Sequence, residues 1–540
     1  MPLRPVPPCT EETPLLRRVP VAWMLVYIAA LAAAAWWYRD ALNPDGVAYL
    51  RLAEHWATGN SSLAISGYWG PLLSALIAIG LLLGLDPLVS ARVVMALSAM
   101  LFLGSCQMLF RSFVLQARFH RLALWSAAVV SIYWSVENIT PDLLMASCLG
   151  AGYVQLRSSA DRHRPGAGLM AGFFMGLGYL AKAIALPFAI LLLLLWSGRA
   201  LIAKQQTGRS RKAVLTSAAW SLMALAIVGG SWVAILSQKY GRPTFSTSAQ
   251  LNHAMAGPPD IERFYPFERG LHDPPPGRIT FWEDPDLPYP DWSPFSSVGN
   301  FLHQMRVAAR NAGVIVLMWA SVHLLAPVLL VCGLSSSLRN RNPGSAETDA
   351  RDAWWPILAL SVLYLPGNLL MSEQRYFYAL LPFWIVLACH FANARCASTQ
   401  ASQKRPPLVL ILLAASVLLP TFIRPYLSGP TWLAGQSARM IAARISQAGL
   451  AGPIAGSARM PGGRAGLYAA YLLKQPWHGD PKWTEIESMT KPKLWVTHRN
   501  SPEATDAAAS QNWENADAEL FRSPAEAAAF PLQVFKKRSR

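Results

Sequence analysis

The run PLLSALIAIGLLLGL, residues 71–85, decides how the rest of this chain is arranged. It is apolar enough to be a membrane span. Its 15 residues, however, reach only about 22 Å as a helix, against a hydrocarbon core of roughly 30 Å. Pro71 opens the run and Asp86-Pro87 closes it, so neither flank can lengthen the helix. The surrounding charges agree. If 71–85 crossed, Arg111, Arg118 and Arg121 would lie across the bilayer from Arg4, Arg17 and Arg18, whereas basic residues collect on the cytoplasmic side. We read 71–85 as a re-entrant or interfacial segment.

The bilayer itself is implied by composition. Of 540 residues 53% are hydrophobic and 14% charged, with 21 Trp, and the apolar residues come in blocks such as 21–38, 214–236 and 408–423. Water-soluble domains are not built that way. The first block, with basic residues ahead of it and small residues at its end, has the look of a signal peptide, but the further apolar blocks make it an anchor helix. Return helices are expected near 88–110, 122–137, 143–157, 167–181, 184–198, 213–236, 312–335, 354–370, 376–394 and 408–424, for a total of about eleven spans. Six basic clusters fall on one side of that arrangement: Arg4/Arg17/Arg18, Arg111/Arg118/Arg121, Arg157/Arg162/Arg164, Arg199/Lys204/Arg209/Arg211/Lys212, Arg339/Arg341/Arg351 and Arg395/Lys404/Arg405. The net charge of +17 is therefore a topology signal, and nucleic acid is not an implied partner.

Residues 1–424 then form a transmembrane core with a cytoplasmic N-terminus, and three segments lie outside: 39–87, 237–311 and the tail 425–540. The loop 237–311 is rich in Pro and aromatic residues, including Trp282 and Trp292, and reads as an irregular packed cover with a helix over 303–311. The tail alternates apolar runs at 453–455, 494–497 and 532–535 with Ala-rich stretches at 464–473 and 503–509, the pattern of a small soluble α/β domain. Six cysteines without a CxxC pair and ten histidines without an HExxH spacing imply neither a disulfide framework nor a metal site. Asp284, Asp286 and Asp291 read as solvated surface. The sequons at Asn60 and Asn138 are incidental, and no glycine-rich phosphate loop is present.

Four polar features stand where this topology puts helix ends on the outer face. A charge at mid-bilayer would cost about 2.5–3.5 kcal/mol, so their location carries information. Asn43-Pro44-Asp45-Gly46 follows the first helix; Asp45 can act as a general base toward an acceptor hydroxyl or amine, or simply stabilise a turn or cap. Thr140-Pro141-Asp142 opens the fourth helix, where Asp142 is a natural N-terminal cap. Lys182 ends the fifth and can meet a lipid phosphate or snorkel to the interface. Ser372-Glu373-Gln374-Arg375-Tyr376 is a short outer loop holding a cation against the topology bias. A guanidinium presents a planar fork to phosphate, so Arg375 with Lys182 is expected to form a polyprenyl-phosphate clamp.

In these residues the chain resembles the GT-C superfamily of polyprenyl-phosphate-sugar-dependent glycosyltransferases, in its protein-mannosyltransferase-like and lipid A aminoarabinose-transferase-like branch. The resemblance runs from Asp45 and Tyr49 through Pro71, Thr140-Pro141-Asp142 and Tyr179 to Pro187, and ends at Arg375-Tyr376 and Pro382. It covers the core to about residue 424, while the tail and most of 237–311 match nothing. It implies a GT-C-like membrane core with interfacial helices in the first outer loop. It also implies inverting transfer at the periplasmic face of a bacterial inner membrane, from a polyprenyl-phosphate sugar to a glycan, lipid or protein acceptor, with no cofactor. On that reading Asp45 activates the acceptor, Asp142 orients it or assists, Lys182 and Arg375 stabilise the phosphate leaving group, Glu373 positions Arg375, and Tyr49 and Tyr376 help to bind substrate. Relatives commonly carry a second acid beside the first, where this chain has Gly46. The rival functions are a transporter or flippase for an anionic or lipid-linked substrate, whose repeated broken helices are not evident here, and a non-catalytic assembly partner.

Overall fold

Helix starts in this chain are marked by proline, whose fixed φ suits a first turn where no amide partner is needed: Pro44, Pro71, Pro87, Pro165 and Pro406 each begin one. The computed structural model describes residues 21–113, 115–162, 165–202, 211–258, 274–286, 292–339, 345–368, 373–398, 406–481, 483–487 and 489–538. Much of the expected cover at 259–273 and 287–291 lies outside the described residues, as do Arg4, Arg17, Arg18, Arg164, Lys204, Arg209, Arg341, Ser372, Lys404, Arg405, Cys9 and Asp291.

In chain order the helices are α1 (Val21–Trp37), α2 (Pro44–Ala57), α3 (Ser61–Ala64), α4 (Pro71–Leu82), α5 (Pro87–Ser112), α6 (Ala117–Glu137), α7 (Asp142–Arg162), α8 (Pro165–Ala181), α9 (Ala185–Ile202), α10 (Arg211–Tyr240) and α11 (Ser248–Met255). A 3-10 turn at Phe281–Glu283 follows, then α12 (Val298–Val322), α13 (Ala326–Arg339), α14 (Ser345–Asn368), a 3-10 segment Gln374–Leu380 leading into α15 (Leu381–Ser398), and α16 (Pro406–Ser428). Among the described residues Pro87–Ser112, Arg211–Tyr240 and Gln374–Asn393 are each long and apolar enough to cross a membrane.

The decisive run behaves as its length requires. Helix α4 has 12 residues, about 18 Å, and stops at a cap where Gly84 takes a left-handed φ of +82° and Leu85 N–H returns to the Gly80 carbonyl at 3.0 Å. Two residues later Asp86 accepts from Leu88 N–H at 2.9 Å and starts α5. α4 packs with Leu73, Ile77 and Ala78 against α2 and α5 as part of the first outer loop.

The single helix expected over 312–335 is instead two, α12 and α13, bent by 99°. His323 is extended (φ −153°, ψ 114°), Leu324 N–H leaves the helix to donate to the Ser416 carbonyl of α16 at 2.8 Å, and the His323 ring accepts from Leu325 N–H. Apolar residues flank the break on both sides, so hydropathy runs straight through it. The helix expected at 303–311 is present as part of α12.

The tail opens with α17 (Leu433–Gln447) and continues through β1 (Ile454–Gly456), the short antiparallel pair β2 (Arg459–Met460) and β3 (Gly463–Arg464), α18 (Ala465–Leu472), α19 (Trp483–Ile486), β4 (Leu494–His498), α20 (Pro502–Ala509), β5 (Trp513–Asn515), α21 (Asp517–Leu520), α22 (Pro524–Ala529) and β6 (Leu532–Lys537). Strand order is β1-β4-β6-β5, with β1 and β4 parallel and the other pairs antiparallel. The three apolar runs are β1, β4 and β6, and the Ala-rich stretches are α18 and α20.

This α/β unit does not stand apart. Ala434, Ala438 and Ile441 of α17, Tyr468 of α18 and Val496 of β4 share one buried core with Val47 and Leu50 of α2 and Leu73 and Ile77 of α4. A side-chain carbon at Gly435 would collide with the Asp40 carbonyl, so the absence of one lets α17 lie directly on the first outer loop. Arg439 pairs with Asp40 at 2.8 Å, Tyr471 O–H donates to Glu54 at 2.9 Å, and Lys474 pairs with Glu54. Burial pushes the Glu54 carboxyl up, but Lys474, Arg51 and Tyr471 together outweigh it and hold the group below its usual 4.5. The contribution of Glu54 to this docking is therefore complete above pH 4.5 and is lost as the pH falls through the lowered value. Proteolysis of the α16–α17 connection is expected to quicken as the pH drops below 4.5, and Glu54→Gln is expected to show the faster cleavage at neutral pH as well. Equal rates across that range would remove Glu54 from the docking account.

Candidate active site

The start of α2 is tied to the strap between α6 and α7. Asn43 accepts from Ile139 N–H at 2.9 Å through Oδ1 and donates to the Ile139 carbonyl at 3.4 Å through Nδ2, so one amide clamps both strands of backbone. Beneath it the buried Arg92 of α5 donates to the Val136 carbonyl at 2.9 Å and to the Ala41 carbonyl. Buried carbonyls need such donors, and one guanidinium serves the ends of two segments. A Cβ at Gly46 would lie 2.6 Å from Asn43 Oδ1 and 3.1 Å from Ile139 Cβ, so the clamp occupies the room a second acid at this position would need.

Asp45 sits in the first turn of α2, with Asn43 as the residue before the helix, and its carboxylate turns toward the core instead of capping. Oδ2 meets Arg375 Nη1 at 2.6 Å and Oδ1 accepts from Trp282 Nε1 at 3.2 Å. Arg375 also donates to Thr140 Oγ1 at 3.3 Å and pairs through Nε with Glu373. Thr140 in turn donates to Asp142, which is fully buried and meets Lys182 Nζ at 2.6 Å. Lys182 lies 4.5 Å from the centre of the Tyr376 ring. The four features picked from distant parts of the chain thus form one chain of contacts: Asp45, Arg375, Thr140, Asp142, Lys182, Tyr376.

The contacts also correct the expected pairings. Lys182 is committed to Asp142 and stands behind the site, so Asp142 is neutralised by an ammonium and is not a helix cap among its described bonds. Tyr49 is buried with its ring edge-on to Trp69, 5.1 Å between centres, and supports the floor without reaching the open space. Asp284, expected on the solvated surface, is half-buried with its carboxylate enclosed: it accepts from Ser66 at 2.9 Å and Tyr240 at 2.8 Å, and pairs with Lys239 and Arg278. It fastens α10 and the first outer loop to the segment that carries Trp282.

Above Asp45 and Arg375 opens a cavity of about 810 Å³. One part is polar and aromatic, with Asp45, Tyr68, Trp282, Glu373 and Arg375; the other is apolar, with Leu317, Met318 and Leu324 from α12 and its bend facing Pro420, Ile423 and Leu427 of α16. Among the described residues that line it, the charged ones are two acids, Asp45 and Glu373, and three arginines, Arg375, Arg424 and Arg464. Among the described residues no three His, Cys, Asp or Glu side chains gather as metal ligands would.

No protein-family profile matches the sequence, and no curated protein matches it. Solved structures do. ArnT from Cupriavidus metallidurans bound to undecaprenyl phosphate is 16% identical, over 96% of this chain and 98% of that one, with a TM-score of 0.43. The Archaeoglobus fulgidus oligosaccharyltransferase in its apo form is 12% identical, over 87% and 69%, at 0.47. The arabinofuranosyltransferase AftD from Mycobacteria is 13% identical, over 97% and 40%, at 0.48.

Several contributors to the cavity are not evident from sequence. Arg424 ends the apolar α16 and pairs with buried Glu137 at 3.0 Å; each alone reads as a helix-end charge. Arg464 comes from the tail, outside the residues that carry the sequence resemblance, and is anchored by Asp480. Trp282 is one aromatic among many in its loop, and only the contact with Asp45 distinguishes it. Its position is set by Glu283, fully buried, which accepts from Ile279 N–H at 2.7 Å and Thr280 N–H at 3.1 Å and pairs with Arg51 and His55, while Trp69 Nε1 donates to the Trp282 carbonyl at 2.8 Å. Replacing Trp282 with Phe removes one hydrogen bond, typically about 1 kcal/mol, and is expected to slow turnover roughly five- to tenfold with little change in KM. A rise in KM alone would assign Trp282 to substrate contact and not to orienting Asp45.

Proposed function

We propose that this chain is a membrane glycosyltransferase of the GT-C type, which moves a sugar with inversion from a polyprenyl-phosphate donor to an acceptor nucleophile. The observation that carries the reading is the Asp45–Arg375 pair at the floor of a cavity whose polar part continues into an apolar part between α12 and α16. A donor with a charged phosphate and a sugar on a long hydrocarbon tail needs both kinds of lining. We assign the N-terminus to the cytoplasm of a bacterial cell and the cavity and tail to the periplasmic face of its inner membrane, as the basic clusters imply.

In the resting arrangement Arg375 holds Asp45, so the base is masked. A donor phosphate competes for the guanidinium fork, and its binding uncovers Asp45 for the acceptor. The acceptor O–H or N–H gives its proton to Asp45 as its heteroatom bonds to the anomeric carbon. The bond from that carbon to the phosphate oxygen breaks, and the lipid phosphate leaves with its added charge held by Arg375, with Arg424 and Arg464 close by. Asp142 with Lys182 keeps Thr140, and through it Arg375, in place. No metal or cofactor enters the scheme.

The test is transfer from radiolabelled polyprenyl-phosphate sugars by the purified protein in lipid, with the unsubstituted chain and Asp45→Asn side by side. Transfer lost in the variant supports the scheme, and equal transfer by both removes Asp45 as the base. Uptake of the labelled lipid across vesicles without sugar transfer would point to the transporter reading instead.

A further inference from the structure

The 99° bend after Val322 leaves α12 with an unexplained outer surface. The helix is 25 residues long, about 37 Å, which would suffice to cross a bilayer. Its exposed side chains do not read as a span with lipid on all sides. Val298, Leu302, Met305, Ala309, Ala312 and Val316 recur at spacings of 4, 3, 4, 3 and 4, which draws one unbroken apolar stripe along the helix, and all six are exposed. The opposite face is closed: Asn311, Ile315 and Val322 are buried. Arg306 and Arg310, also exposed, stand together on one flank of the stripe. Farther along, toward that same flank, Leu317, Met318 and Ser321 line the cavity.

A helix with three such sectors fits one setting, the plane where acyl chains meet headgroups. The stripe would face the hydrocarbon, the arginines the phosphate layer, and the buried side the protein. Other apolar side chains are exposed too: Leu324, Leu325, Val328 and Val331 at the bend and along α13, and Ile423 and Leu427 of α16. α12 packs against α13, α14, α16 and the segment Gln374–Leu380, and α13 packs against α14 and α15, so both arms of the bend rest on the bundle. The exposed apolar stripe and the complementarity of two exposed arginines to lipid phosphate name the occupant.

We propose that α12 lies in the plane of the membrane as an amphipathic wall of the cavity, docked on the outer leaflet through the stripe 298–316, with Arg306 and Arg310 engaging anionic phospholipid headgroups. The same helix lines the cavity through Leu317, Met318 and Ser321. The proposal depends on a membrane-embedded chain but not on glycosyl transfer, so it stands or falls separately from the function proposed above.

Depth measurement decides it. Nitroxide labels on Leu302→Cys, Ala309→Cys and Val316→Cys, each read as the difference from the unsubstituted protein reconstituted alike, probe three points about 10 Å apart on one helix face. An in-plane helix gives three depths within about one helical turn of each other, all accessible to oxygen at the level of the upper acyl chains. Depths that step by about 10 Å from label to label mean that α12 crosses the bilayer, and three labels reached only by aqueous reagents mean that it does not touch lipid; either overturns the proposal. For the headgroup contact, the motionally restricted fraction of spin-labelled phosphatidylglycerol is compared with that of phosphatidylcholine. Arg306→Gln and Arg310→Gln are each expected to lower the phosphatidylglycerol preference by about fivefold, and an unchanged preference in the double variant refutes the headgroup contact.

Discussion

Asp45→Asn is expected to cut sugar transfer by about 10²–10⁴, because the change removes the proton acceptor, and to cost less stability than loss of Arg375 does, because Arg375 keeps its pair with Glu373. An asparagine oxygen can keep one of the two partners Asp45 has now, Arg375 or Trp282 Nε1, while its amide nitrogen faces the other. The α2 start is held independently by the Asn43–Ile139 clamp and by Arg92. Donor binding should survive and could strengthen, since the amide holds Arg375 less tightly than a carboxylate does. A variant with normal thermal unfolding, retained donor binding and lost transfer is the signature of a missing base. A variant that unfolds early would instead make Asp45 a structural ion-pair partner.

The second large effect is expected at Arg375, where stability and chemistry separate by choice of substitution. Arg375→Gln leaves Asp45 and Glu373 without their shared cation. Removing one partner of a buried pair costs about 3–5 kcal/mol, and since Glu373 is 41% exposed the cost here should fall at or below the lower end. The leaving phosphate also loses its nearest guanidinium, a loss of the order of 10²–10³ in turnover if it acts as one electrostatic donor to the transition state. Arg375→Lys restores a positive charge beside Asp45 but not a planar fork that can reach Asp45, Thr140 and Glu373 at once. Its unfolding temperature is expected to recover most of the way and its turnover to stay low. Full turnover in the lysine variant would show that a point charge suffices, and the fork geometry would carry no weight in catalysis.

Much of the candidate site is legible in the sequence because polar residues at the ends of apolar blocks are few, and a bilayer leaves them little other place to be. Asp45, Asp142, Lys182, Glu373, Arg375 and Tyr376 all converge for that reason. The parts that are not legible are those whose meaning lies in a partner. Glu137 and Arg424 read as ordinary helix-end charges until they meet, and Asp284 reads as solvated until Ser66, Tyr240, Lys239 and Arg278 enclose it. Trp282 has no local signature at all.

The run at 71–85 shows the division most clearly. Its length, its bounding prolines and the basic residues beyond it are properties of the chain alone, and they suffice to make a 12-residue helix that turns back at Gly84. The same is true of the helix starts and of the strands in the tail, which follow from backbone chemistry and short-range apolar pattern. Which cation meets which carboxylate is a different matter. Lys182 goes to Asp142 and Arg375 to Asp45 because the Asn43 clamp and Arg92 bring particular helix ends together, and those contacts join residues about a hundred or more positions apart or cross between segments. The bend at His323 and the union of the tail with the first outer loop were likewise decided by tertiary packing, since apolar residues continue through the one and an exposed loop would have served the other equally well in sequence.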